Sequence, residues 1–278
     1  MTDITILIDD TPSENLMLKH EHGLSFAFSL NNRNYLLDTG LSGKAFENAT
    51  YLGIDINNIN TLILSHGHID HTGGLSTFAT LNSKAKIYAS KHITEWDYVS
   101  NRHGITHSLS PVKKVLEELK PRLTLIDKDI IIDNNLHLVF NHHNKFLKPQ
   151  GNKYLHIKSL NTEYTTYNAE DEISVAITES DTLHILSSCS HNGILNIISS
   201  CQDATGIKKI GTYIGGLHLL DEVTNEEDII SLIQTIKQNY PELMLYTGHC
   251  TGNMAKIKLH EHFAPNVNFF QTGSSITL

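Results

Sequence analysis

An apolar, strand-like stretch at 61–64 runs directly into His66-Gly67-His68-Ile69-Asp70-His71. Three imidazoles and a carboxylate within six residues, mounted on the end of a strand, form a metal-ligand pattern on the kind of rigid element that can hold it. Neutral imidazole and carboxylate suit zinc, manganese or iron(II), and Gly67 lets the chain bend tightly between ligands. Two of the histidines and the Asp70-His71 pair can face two adjacent ions. The cluster belongs to a wider enrichment, 18 histidines among 278 residues.

Around the cluster the hydrophobic pattern changes character. The first strands, at 4–8, 24–30 and 35–37, alternate as an antiparallel set, with Asn31-Asn32 as a hairpin turn. From Ile173 onward strands alternate with helices. The helix at 226–238 has Asn225 as its cap, Glu226, Glu227 and Asp228 in its first turn, and Ile229, Ile233 and Ile236 along one face. This order predicts an α/β protein, an αββα sandwich of two mixed sheets flanked by helices. The whole chain, 1–278, reads as a single domain. Residues of about 92–170, rich in Asn, Lys, Thr and His, read as an insertion near the rim of the site, where Trp96 and Tyr98 could contact a heterocycle. Ser110-Pro111 marks the start of its one clear helix, with the serine as cap and proline at the first helical position.

Partners are bounded by charge. With 21 basic against 30 acidic residues the net charge is −9, which argues against nucleic acid and anionic membranes and for a small-molecule partner. That the substrate is anionic is expected from the metal-ligand pattern and from helix starts later in the chain. Three scattered cysteines, Cys189, Cys201 and Cys250, and an N-terminus without a basic leader predict a cytoplasmic location. Oligomeric state is left open.

Further histidines follow later strands. His191 and His249 sit at strand ends like His66 and read as metal ligands. His218, after Gly215-Gly216, reads as a ligand, a proton donor or a group that orients a ligand. Asp38 is suited to orient a ligand histidine through its second ring nitrogen. The adjacent His142 and His143 point to opposite faces and cannot easily share one metal. Thr251 and Gly252 open a helix whose free N–H groups would hold a substrate phosphate or carboxylate, against the plainer reading of Thr251 as a cap. The start at Ser190-His191-Asn192-Gly193 would frame the same anion.

The H-x-H-x-D-H run after a strand, with Asp38-Thr39-Gly40 before it and the alternating C-terminal half, resembles the metallo-β-lactamase superfamily. The further segments Glu21-His22-Gly23-Leu24-Ser25, Ser187-Ser188-Cys189-Ser190-His191-Asn192-Gly193 and Tyr246-Thr247-Gly248-His249-Cys250-Thr251-Gly252 resemble its dihydropterin-methyl ribofuranosyl-aminobenzene phosphate synthase branch. The resemblance implies two zinc ions per chain, with manganese, iron or magnesium as alternatives. It assigns His66 and His68 to a first metal, joined by His191, and Asp70 and His71 to a second, joined by His249. Cys189 stands where relatives place a metal-bridging aspartate, and a buried inert thiol is the competing reading. The primary expectation is a hydrolase that uses a metal-bound hydroxide, with Asp70 or His218 handling the proton. The alternatives are a pterin-related synthase or transferase, and a binding or sensing protein that turns nothing over.

Overall fold

The computed structural model describes residues 2–159 and 163–278. The chain divides into two compact units: residues 1–127, 154–166 and 270–278 form the first, and residues 128–153 and 167–269 form the second. In the first unit, seven strands form one mixed sheet in the order Ser275–Thr277, Asp3–Ile8, Ser25–Leu30, Arg33–Leu37, Thr61–Ile63, Lys86–Ser90 and Leu123–Ile126. The first four pair antiparallel and the rest parallel. The Asn31-Asn32 turn forms as expected, with φ of 51° and 59°. Asparagine tolerates this left-handed region, and two such residues in succession match the twist of a hairpin. They bring Phe28 opposite Tyr35, whose rings stack at 5.1 Å.

Helices Lys44–Tyr51, Leu75–Leu81 and Lys113–Leu119 bury Ala45, Phe46, Leu75, Phe78, Leu116 and Leu119 in a cluster with sheet residues Leu7, Leu36, Leu62 and Ile87. The last helix begins later than the sequence suggests. Val112, not Ser110, is its cap, in extended geometry and without a side-chain cap bond. The Ser110 hydroxyl is drawn away, accepting from the Tyr98 N–H at 2.8 Å and facing the Tyr98 carbonyl at 3.3 Å. Val112 itself is exposed.

The second unit repeats the theme with reversed order. Its seven-stranded sheet runs Val267–Phe269, Met244–Thr247, Lys209–Ile214, Thr182–Leu186, Ile173–Glu179, Leu136–Phe140 and Ile130–Asp133, parallel among the first four and antiparallel thereafter. Helices Ile194–Thr205, Glu226–Asn239 and Asn253–Phe263 cover one face. Ile229, Ile233 and Ile236 are buried there, and the Asn225 side chain accepts from the Asp228 N–H at 2.7 Å, as the sequence predicts.

The 92–170 stretch is shared out between the units. Leu123–Ile126 extends the first sheet, while Ile130–Asp133 and Leu136–Phe140 extend the second. Trp96–Arg102, Ile105–Ser108, Leu155–Ser159 and Thr165–Thr166 form a separate four-stranded sheet within the first unit. His142 and His143 have different partners, Asp129 and Asp203, each at 2.8 Å. Among the described residues no helix is long and apolar enough to cross a membrane.

Ile233→Ala, which leaves a cavity in a fully enclosed helix face, should lower unfolding free energy by about 2–5 kcal/mol. Asn225→Ala, which removes only the cap, should cost about 1 kcal/mol. Urea unfolding of both variants checks the ranking.

Candidate metal centre

In the first unit the site is built around a carboxylate. Asp38 follows the strand Arg33–Leu37, is fully buried, and has a φ of 61°. Its Oδ1 accepts from the Ser65 N–H at 2.7 Å. Its Oδ2 accepts from the Ser65 hydroxyl at 2.6 Å and from His71 Nδ1 at 2.8 Å. Since the one Ser65 hydroxyl proton goes to Asp38, Ser65 Oγ must accept the 2.8 Å bond from His66 Nδ1. Asp38 therefore holds His71 directly, and His66 through Ser65, by their Nδ1–H groups, which leaves Nε2 of each ring turned away from this scaffold. Asp38 thus meets His71 at one ring nitrogen, the contact that an orienting group would make.

The three imidazoles are gathered closely. His66, His68 and His71 are buried, with ring centroids 4.5 Å apart for His66 and His68 and 4.4 Å for His66 and His71. His66 Nε2 and His68 Nδ1 approach to 3.0 Å. Asp70 joins from the same short helix, Ile69–Thr72, with its carboxylate 3.4 Å from His71 Nε2. Burial alone would depress the His71 imidazole, but the charges of Asp70 and Asp38 and their hydrogen bonds more than offset it and hold it at about 9. Gly67 is required here because a Cβ at that position would meet the Tyr98 ring at 2.3 Å.

The Glu21-His22-Gly23-Leu24-Ser25 segment is the scaffold of this cluster. The Glu21 carboxylate accepts from Leu41 N–H, Ser42 N–H and the Ser42 hydroxyl, and so ties down the turn after Gly40. His22 Nδ1 bonds Asp10 at 3.0 Å, and its Nε2 lies 3.5 Å from the Asp70 carboxylate. Leu24 donates its N–H to the Asp70 carbonyl, and Ser25 donates to the Asp38 carbonyl.

The second unit carries donors of its own at the carboxyl ends of its parallel strands. Cys189, His191, His218 and His249 are buried on the turns after Thr182–Leu186, Lys209–Ile214 and Met244–Thr247. His191 Nδ1 bonds the Asn152 side-chain oxygen at 3.0 Å, while the Asn152 amide donates to the His191 carbonyl. Its Nε2 is thus the nitrogen left with a lone pair. The His218 ring lies against it at a tilt of 57°, with centroids 4.3 Å apart. Ser190, His218 and Cys250 adopt φ of 59°, 50° and 50°. Each costs on the order of 1 kcal/mol of backbone strain, a feature that collects at functional sites. The turns interlock through the main chain: Gly215 and Gly216 donate to the carbonyls of Tyr246 and Ser188, and a Cβ on Gly216 would meet the His249 carbonyl at 2.2 Å.

Both helix starts proposed for an anion are filled from within. Asn253 and Met254 N–H donate to the Asp221 carboxylate, each at 2.9 Å. Gly252 donates its N–H to Leu219, and a Cβ there would strike Asp221 at 2.3 Å. The Thr251 hydroxyl accepts from the Leu217 N–H and pairs with Thr247. The Thr251 hydroxyl and the Gly252 N–H therefore already have partners within the second unit. At the other start, Glu172 accepts from the N–H groups of His191 and Asn192 and from the Asn192 amide. The acidic pair Asp171-Glu172 ahead of an apolar strand was the sequence signal for this carboxylate.

These donors fit a transition-metal ion: buried imidazoles held as Nε2 donors by acceptors behind them, with a carboxylate alongside. The metallo-β-lactamase superfamily model matches residues 21–145. The chain is similar over 100% of its length, and 99% of the other's, to a metal-dependent hydrolase of the β-lactamase superfamily, at a TM-score of 0.82 and 24% identity. It covers 100% of the Bacillus subtilis metallo-β-lactamase fold protein YhfI, and is itself covered in full, at 0.58 and 12%. By fold, then, this chain is a metallo-β-lactamase-fold protein, and the superfamily match lies over residues 21–145. Within that class it resembles a 7,8-dihydropterin-6-methyl-4-(β-D-ribofuranosyl)-aminobenzene-5′-phosphate synthase of Methanocaldococcus jannaschii, at 29% identity over 98% of this chain and 95% of the relative. An uncharacterized protein of that organism is 25% identical over 93% of this chain and 94% of its own length.

Glu172 gives a test that needs no ligand. Burial raises its carboxyl from 4.5 to about 7 against the pull of its three donors. Between those values the folded chain holds a proton that the unfolded chain has lost. Its contribution to stability is therefore full below about 4.5 and declines as pH rises through about 7. Glu172→Gln should flatten that slope in urea unfolding across pH and, with one acceptor exchanged for a donor, cost about 1–3 kcal/mol.

Proposed function

We propose that this chain is a cytoplasmic, metal-dependent enzyme of the synthase type, in which the amino nitrogen of a phosphate-bearing ribofuranosyl-aminobenzene bonds to the 6-methyl carbon of an activated dihydropterin. The activating group leaves that carbon with the bonding electron pair, and the nitrogen gives up a proton. The observation that carries the reading is the near full-length similarity to the archaeal synthase, set beside a buried imidazole–carboxylate cluster of metal-ligand type. The hydrolase expectation gives way to this alternative, because the hydrolase-named structure is alike in fold alone.

His66, His68, His71 and Asp70 of the first unit, and His191 and His249 of the second, are the proposed ligands, for two zinc ions per chain. Bound zinc supplies Lewis-acid polarisation of an oxygen on an anionic substrate. The remaining roles fall to the chain. Asp38, Ser65 and Asn152 hold the ligand rings in one tautomer, so no reorientation is needed when metal enters. His218, packed on His191 and held at a strained backbone position, is the proposed proton carrier, with Asp70 as the second group able to take a proton. Metal lost, the buried cations and carboxylates would have only each other.

Elemental analysis of protein reconstituted with zinc should show more than one equivalent, and His66→Ala should lose metal at neutral pH. Asp38→Asn keeps the shape, and asparagine accepts the left-handed backbone, so it removes the charge and exchanges one acceptor oxygen for a donor behind His71 and Ser65. Zinc affinity should fall by about 10–100-fold, read by competition with a chelating dye. Loaded protein, given an activated 6-methyl-dihydropterin donor and the ribofuranosyl-aminobenzene phosphate, should form the joined product by mass spectrometry. Phosphoester cleavage without joining would return the hydrolase reading, and full loading with no turnover of either kind would reject an enzyme.

A further inference from the structure

The second unit holds a cavity of about 420 Å³ between the segment 145–150, the start of helix Ile194–Thr205 and the flank of helix Glu226–Asn239. Its volume falls in the range that encloses small organic ligands. Leu147, Ile194, Leu195, Leu217, Leu219 and Leu232 supply an apolar wall. Leu147 is 90% exposed although it belongs to that wall, so an apolar side chain is held open at the entrance.

Two polar features decide what the cavity takes. Thr224 lines it and is 5% exposed, and its hydroxyl has no hydrogen-bond partner among the described residues. A buried unsatisfied hydroxyl costs about 1–3 kcal/mol, which a ligand atom at that place would recover. The charges are sorted as well. Asp228 is engaged by the side chains of Gln150 and Asn225, and the Lys148 ammonium donates to the Asn168 carbonyl. Lys145, at the same wall, enters no ion pair among the described residues. The uncommitted charge is positive, so the complementary ligand is an anion with an apolar body.

We propose that this cavity is a binding site for a small amphipathic carboxylate, its aliphatic or aromatic body against the leucines, its carboxylate on Lys145 and a hydrogen bond to Thr224. The site lies outside the histidine cluster and uses none of its ligands, so it stands whether or not the synthase reading does.

Octanoate is the probe, titrated by calorimetry into the full chain, with octanamide as its neutral partner. Octanoate should bind saturably at one site, and octanamide should bind at least tenfold more weakly. Leu232→Trp, which fills the cavity, should abolish binding. Lys145→Met should erase the preference for the acid, and Thr224→Val should weaken octanoate about tenfold. Unchanged affinity in the folded Leu232→Trp protein, equal affinity for acid and amide, or no binding to the wild-type chain would overturn the proposal. Should Leu232→Trp fail to fold by circular dichroism, the Lys145 and Thr224 variants decide, and wild-type behaviour in both rejects it. Zinc content should be unchanged in every variant.

Discussion

A single buried carboxylate organises the first half of the molecule. Asp38 accepts three hydrogen bonds, from a main-chain N–H, a hydroxyl and an imidazole. An unpaired charge at full burial would be untenable, so these bonds are a condition of folding as well as of function. They also fix geometry. The strand Thr61–Ile63 must end where Ser65 can reach Asp38, and that end point sets where His66 and His71 stand. The left-handed backbone at Asp38 is the strain accepted in return, shared with Ser190, His218 and Cys250 on turns of the second unit.

The second unit solves a similar problem with neutral and acidic groups. Asn152 does for His191 what Asp38 does for His71, and Glu172 holds the backbone beneath it. A carboxyl raised to about 7 is less costly to bury than a permanent charge, yet it satisfies the same donors. Asp221 plays the equivalent part at the start of the last helix. Internal carboxylates thus meet the helix dipoles that the sequence seemed to reserve for substrate.

What could be read in advance was local. The paired asparagines at 31–32, the cap at Asn225 and the Ile229, Ile233 and Ile236 stripe depend on neighbours within a few residues, and each formed as read. The histidine run announced its own chemistry, and Asp38 was legible as a carboxylate able to hold the second nitrogen of one of its rings. The errors came from contacts distant in sequence. Ser110 was lost to Tyr98, a partner that leaves no mark near the residue it captures. Asn152 and Asp221 were missed for the same reason, and the fate of 92–170 depended on which sheet edges its strands could join.

The main-chain interlock of Gly215 and Gly216 with Ser188, Tyr246 and His249 has an evolutionary side. Because backbone atoms hold these turns together, the side chains they display are relieved of structural duty. A lineage can exchange His218, Cys189 or Cys250 for other groups while the frame that presents them persists. Diversity of chemistry on one scaffold is then the expected outcome of where its glycines lie.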